Sequence, residues 1–147
     1  MANQDKIVEE AKRWVTDKVK WTHNSSSKKG CDCGGFVIGV INAVHGCNIK
    51  LPYYPKDWCL HKGKCEENRP LMSTLHKYFK RIDNDKREAG DFIMFKQGRY
   101  NNHIVIYLGG ELFAHSEEGV GCRYGIIKKS QWEKALSGVF RFDETTV

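Results

Sequence analysis

Apolar positions change rhythm once along this chain, and the change divides a helical half from a strand half. Ile7, Val8, Ala11, Trp14 and Val15 recur at helical spacing with Lys, Glu and Arg between them, which predicts an amphipathic helix over residues 4–18. The stretch from Thr22 to Gly30 is polar and reads as loop. Cys33, Phe36, Val37, Val40, Ile41 and Val44 then form one helical face, with Asp32 as N-cap and Gly46 as terminator. Residues 47–70 hold every proline of the chain and read mostly as loop. A third helix is expected over about 70–81, with Leu71, Leu75, Tyr78 and Phe79 on one face.

After Gly90 the period drops to two. Phe92–Phe95, Asn102–Leu108, Leu112–Ser116, Cys122–Ile127 and Gly138–Phe142 read as strands, and Ser130–Leu136 as a helical turn capped by Ser130. Helices first and antiparallel strands afterwards predict an α+β domain. At 147 residues, one domain over 1–147 can bury a core without metal or disulfide support.

Composition narrows the class without choosing a function. The chain is 40% apolar, 12% aromatic and 29% charged, which excludes a disordered or low-complexity protein. A formal charge of +6 suits any anionic partner. Lys and Arg never run beyond pairs such as Lys28-Lys29, so no basic tail points to nucleic acid. Residues 2–13 place acids where a signal peptide needs an apolar core, and no apolar stretch is long enough to span a bilayer. The expectation is synthesis in a cytosol, with release through lysis or a carrier particle. Without a signal, the six cysteines read as thiols rather than a disulfide framework. Cys59, His61 and Cys65 have a spacing that is not a strong zinc pattern, so no metal or other cofactor is expected.

Chemistry concentrates at Cys33. A capped helix N-terminus directs peptide dipoles at its sulfur, which is expected to lower the thiol pKa. Gly34 and Gly35 are poor helix formers, and substrate lying close to the backbone would explain them. The first-turn N–H groups would then hold an oxyanion. A buried structural cysteine is the plainer reading of Cys33 alone. The histidines shift the balance, because a cysteine nucleophile needs a base and the base needs an orienter. His103 begins the most apolar strand and His115 lies on the next, with Gly109-Gly110 between them. Their indices sum to an even number, so an odd-numbered hairpin loop is required to put both on one face. A three-residue loop, Leu108-Gly109-Gly110, is expected, with Tyr107 facing Glu111 and Gly110 left-handed. Val105 and Tyr107 would share the histidines' face, turned toward the Cys33 helix. His23 could approach the site, although a polar-loop histidine is more often solvated, and His45, His61 and His76 lack a partner pattern.

These segments together resemble the NlpC-type cell-wall peptidases of the papain-like cysteine peptidase superfamily. Gly-Cys-Asp-Cys33-Gly-Gly-Phe-Val is similar to the family's Asp-Cys-Ser-Gly-Phe-Val nucleophile motif. Ala-Gly-Asp91-Phe-Ile-Met-Phe resembles its Pro-Gly-Asp strand start. Asn-His103-Ile-Val-Ile-Tyr-Leu-Gly resembles its base strand, and Leu-Phe-Ala-His115-Ser its third-residue strand. The order holds over about residues 10–127. Cys-Asp-Cys, Trp-Thr-His-Asn and Tyr-Tyr-Pro-Lys-Asp-Trp bring the chain nearest to the phage-associated members. The resemblance implies a papain-like α+β fold, with the nucleophile at a helix N-terminus packed on the antiparallel sheet that carries the histidines. It implies catalysis by Cys33, His103 and His115, with Trp21, Asp32, Gly34 and Gly35 bordering the substrate. The implied substrate is a bacterial peptidoglycan stem peptide, cut between the D-glutamate side-chain carboxyl and a diamino acid. Phage tail proteins are the implied partners.

Gly34 stands where the family has Ser, Trp21 where it has Tyr, and Val105 where it has Gly. The first two changes bear on substrate detail rather than on the reaction class. An acyltransferase of the same superfamily would use the same acyl-enzyme step and differ only in its acceptor. A non-catalytic tail-tip assembly or wall-binding module is the remaining alternative.

Overall fold

Helix α1 (Asn3–Thr16) opens the fold in a computed structural model that describes residues 2–54, 70–97, 100–128 and 134–147. It buries Ile7, Ala11 and Trp14, the predicted stripe. The helix stops short of residue 18 because Lys18 takes up a left-handed backbone, with φ of 52°. Two short strands follow, β1 (Ser26–Ser27) and β2 (Gly30–Cys31), paired antiparallel. They lie in the stretch that reads as polar loop, since two serines offer no alternation to detect.

Helix α2 (Cys33–His45) forms as its caps demand. The Asp32 carboxylate accepts from the Gly35 N–H at 2.8 Å, and Gly46 ends the helix left-handed with φ of 61°. Residues from Gly34 through Ile41 are all buried, so α2 is the central helix rather than a surface one. Trp14 of α1 meets Phe36 of α2 edge-on at 5.8 Å.

Helix α3 (Pro70–Tyr78) is shorter than expected, because Phe79 starts strand β3 (Phe79–Ile82). The Phe79 ring packs against Phe92 at 4.9 Å and Phe142 at 5.5 Å, and this tertiary contact overrides the helical spacing. Strands β4 (Phe92–Gln97), β5 (Tyr100–Gly109), β6 (Leu112–Glu117), β7 (Gly121–Ile126) and β8 (Leu136–Phe142) complete an antiparallel sheet. Its order is β3-β8-β4-β5-β6-β7. Leu136 is strand rather than the end of a helical turn, and Ser130, the expected cap, lies outside the described residues. The arrangement is α+β, as expected.

The two faces of the sheet have different tasks. Phe92, Met94, Ile104, Ile106 and Ala114 join the core formed with α1, α2 and α3. Ile93, Phe95, Val105, Tyr107, Phe113 and Val139 form a second cluster on the opposite face. By alternation His103 belongs to that second face, with Val105 and Tyr107. The expectation that Val105 and Tyr107 turn toward α2 is therefore corrected: their neighbours Ile104 and Ile106 do so.

The β5–β6 hairpin also differs in detail. Ile106 faces Ala114, Tyr107 faces Phe113, and Gly109 faces Leu112, with the register shifting between Tyr107 and Gly109. The turn is Gly110-Glu111, and Leu108 is the extra residue of a bulge. Tyr107 thus faces Phe113 rather than Glu111. Gly110 is left-handed as expected, with φ of 58°, and Gly109 also has positive φ, 101°. The bulge restores the even parity that the histidines require, by a route other than a three-residue loop.

At the start of β4, fully buried Asp91 receives Arg141 Nε at 2.7 Å and Nη2 at 2.8 Å. Gln4 Nε2 and the Glu88 N–H donate to the same carboxylate, each at 2.8 Å. This network ties α1, β4 and β8 together and accounts physically for the Gly-Asp strand start. Among the described residues no helix is long and apolar enough to cross a membrane.

Candidate active site

Cys33 is the first residue of α2 and half-buried, on the wall of a cavity of about 860 Å³. The backbone N–H groups of Ile104, Gly34 and Cys33 itself favour its thiolate. Withdrawal from water and then the Asp32 carboxylate outweigh those dipoles and push the thiol up to about 12. The expected lowering by the helix N-terminus is thus corrected. The same Asp32 that caps the helix puts negative charge beside the nascent thiolate.

His103 and His115 line the same cavity, and His103 adjoins Ile104, whose N–H favours the Cys33 thiolate. His103 Nε2 lies 2.7 Å from His115 Nδ1, with the ring planes 82° apart. Withdrawal from water, and then the neighbouring His115, lower His103 to about 4, opposed by Glu117. His115 falls to about 4 through withdrawal from water and then the Arg123 charge. Both rings are therefore neutral near pH 7, and one N–H joins them. With that proton on His103 Nε2, its Nδ1 carries the lone pair that can take a thiol proton. Phe113 braces His115 edge-on, with ring centroids 5.0 Å apart.

Trp21 and Asp32 border the cavity. Gly34 and Gly35 have a packing reason to lack side chains. A Cβ on Gly34 would sit 2.7 Å from the Tyr54 hydroxyl, and one on Gly35 1.7 Å from the Ser25 carbonyl oxygen. Asp32 does more than cap: its carboxylate also accepts from the Tyr54 hydroxyl at 2.8 Å and from the Asn24 N–H at 2.7 Å. Burial, and then Asp32, raise the Tyr54 hydroxyl well above its ordinary range.

His23 and Tyr54 also line the cavity. His23 stacks on Trp21 at 6.3 Å and meets Tyr54 edge-on at 6.1 Å. The signal for His23 was its place two residues after Trp21, in the Trp-Thr-His-Asn segment. Among the described residues no group of His, Cys, Asp and Glu is gathered as metal ligands, and Cys59, His61 and Cys65 lie outside them.

A cysteine at a helix N-terminus, opening on a cavity with a hydrogen-bonded imidazole pair from the sheet, defines a papain-like arrangement. Residues 18–141 match the model of the NlpC/P60 family, and the chain belongs to that family. It is 23% identical over 116 residues to Murein DD-endopeptidase MepS/Murein LD-carboxypeptidase of Escherichia coli (strain K12). That match covers 79% of this chain and 52% of the relative, so the chain spans about half the length of the curated relatives it matches. The fold matches a solved NlpC/P60 family protein from Bacillus cereus ATCC 10987, with a TM-score of 0.66 at 19% identity. That match covers 95% of this chain and 40% of the other. The NlpC/p60 domain of the peptidoglycan hydrolase SagA matches with a TM-score of 0.64 at 20% identity, over 94% of this chain and 97% of that one.

Proposed function

We propose that the chain is a cysteine peptidase of peptidoglycan stem peptides, with Cys33 as nucleophile, His103 as base and His115 as orienter. The 2.7 Å contact of His103 Nε2 with His115 Nδ1, in the cavity that Cys33 lines, carries this reading. The thiol and imidazole start neutral, so His103 Nδ1 takes the thiol proton as sulfur attacks the scissile carbonyl. His115 steadies the imidazolium that forms. The first-turn N–H groups of Cys33 and Gly34, which favour negative charge on the sulfur, are the donors assigned to the developing oxyanion. Collapse breaks the C–N bond, and the leaving amine takes its proton from His103. Water then cleaves the thioester and returns the sulfur to its thiol form.

The finer reading is a cut between the D-glutamate side-chain carboxyl and the diamino acid, supported by the Cys33, His103 and His115 motif segments. The E. coli relative is named for murein DD-endopeptidase and LD-carboxypeptidase activities. A phage tail as carrier rests on the Cys-Asp-Cys and Trp-Thr-His-Asn segments. Incubating purified wall fragments with the protein and weighing the products tests the bond. Glycan-linked stems shortened to L-alanyl-D-glutamate are expected. Separated cross-links with intact stems would move the cut to the DD bond, and an acyl group transferred to an added amine would make the chain an acyltransferase.

A further inference from the structure

Two thiols outside the candidate triad meet at a place that the proposed chemistry does not use. Cys31 Sγ and Cys122 Sγ lie 3.6 Å apart, though 91 positions separate them in the chain. Cys31 is fully buried, and Cys122, 8% exposed, sits on edge strand β7. One short segment holds both backbones: the Cys122 N–H donates to the Val19 carbonyl at 2.8 Å and the Cys31 N–H to the Lys20 carbonyl at 3.0 Å. Ser116 stands opposite Cys122 across β6–β7 and donates its hydroxyl to the Cys31 carbonyl at 2.8 Å. Three independent bonds thus keep the pair in register.

We propose that Cys31 and Cys122 are a disulfide site, closed by exchange with a small-molecule disulfide. Closure joins β2, which leads into the Cys33 helix, to edge strand β7. A disulfide bond of about 2.05 Å requires the sulfurs to approach by about 1.5 Å. Cys122 is the entry point, since it is the more exposed of the two. Its thiolate attacks one sulfur of the oxidant, forming a mixed disulfide and releasing one thiol. Cys31 then attacks the Cys122 sulfur, loses its proton, and displaces the second thiol. Two protein thiols become one disulfide while one oxidant disulfide becomes two thiols, so the electrons balance.

The electrostatics agree with that order. The hydrogen bond from Cys31 pulls the Cys122 thiol below its ordinary value, while Cys122 and burial push Cys31 up. Cys33 lines the cavity with the histidines, whereas Cys31 Sγ already lies 3.6 Å from Cys122 Sγ, which makes Cys31 the resolving thiol. Holding Cys31 against Cys122 keeps it away from the neighbouring nucleophile. The pair stays open in a reducing cytosol and closes in an oxidising space.

The test uses the full chain equilibrated with oxidised glutathione, quenched in acid, blocked with N-ethylmaleimide and mapped without reduction. The expected result is a Cys31 peptide joined to a Cys122 peptide, about 2 Da lighter than their sum, with Cys33 carrying the blocking group. The melting midpoint of the oxidised form should exceed that of the reduced form by about 5–10 °C. Cys122→Ser and, separately, Cys31→Ala should each abolish both the link and the shift. A Cys31–Cys33 link, or Cys31 and Cys122 both recovered as blocked thiols, would overturn the proposal. A link that leaves the melting midpoint unmoved would overturn its stabilising role. Mass and melting are read without turnover, so the outcome is independent of the peptidase reading.

Discussion

His103 Nε2 and His115 Nδ1 lie 2.7 Å apart, yet extending the β5–β6 register sets Val105, not His103, opposite His115. The two histidines are diagonal neighbours on one face, a separation that long ring side chains can bridge. The bulge at Leu108 makes this possible, because a regular two-residue turn would send the rings to opposite faces. Phe113, two residues before His115, fills the space beneath the pair.

An orienter that acts through one acceptor nitrogen should be partly replaceable. His115→Asn offers an amide oxygen to the His103 Nε2–H, whereas His115→Ala offers nothing. We expect His115→Ala to lower kcat by roughly 10²-fold or more, with His115→Asn in between. His103→Ala should abolish turnover. Steady-state kinetics on a stem peptide checks the order. Equal losses in both His115 variants would show that the ring contributes shape rather than a hydrogen bond.

Acid should act on the site late. His103 has to be neutral to take the thiol proton, and its folded value is about 4. kcat/KM should therefore rise with pH through about 4 and stay level across neutrality, with no alkaline fall from Cys33, whose thiol is pushed up to about 12. Stability follows from the same groups. Histidines held near 4 when folded bind protons less readily than the ordinary histidine at 6.5. The unfolded chain therefore takes up more protons between those values, and stability falls as pH drops from about 6.5 to about 4. Urea midpoints at pH 7 and pH 5 measure this, and His103→Gln should weaken the dependence.

Gly34 should resist restoration of a side chain. A Cβ there would meet the Tyr54 hydroxyl at 2.7 Å and Leu71 Cδ1 at 3.0 Å. Gly34→Ser should cost about 1–3 kcal/mol through overpacking. Combining it with Tyr54→Phe, which removes the obstructing oxygen, should cost less than the sum of the single changes. Urea denaturation of the four proteins of the cycle checks this coupling.

Breaking the buried ion pair at the β4 start should weaken the fold without touching the cavity. Asp91→Ala leaves Arg141 with Glu88 at 3.5 Å and Gln4 Nε2 with only the Ala89 carbonyl at 3.2 Å. A loss of about 3 kcal/mol is expected, read from urea unfolding. A variant that remains folded at room temperature should keep its kcat.

The helical half was legible because capping and stripe coincide: Asp32, the Cys33 face and Gly46 each mark α2 separately. The strands after Gly90 were legible by alternation; parity set the condition for His103 and His115 to share a face, but not the Leu108 bulge that meets it. Phe79 was not, because its pairing with Phe142 is a long-range contact without local signal. The thiol's raised pKa was not legible either. Asp32 announces a cap, but the burial that magnifies its charge beside Cys33 appears only when α2 meets β5. Tyr54 escaped for the same reason, since its hydroxyl reaches Asp32 across 22 positions of sequence.

The central claim is that Cys33 carries the acyl group of a wall peptide. Incubation with a stem peptide, rapid acid quench and peptide mapping measures this directly. An acyl mass on the peptide containing Cys33, formed with release of the amine fragment and absent from Cys33→Ala, is the predicted result. Cleavage by Cys33→Ala at the wild-type rate, or an acyl group on another residue, would contradict it.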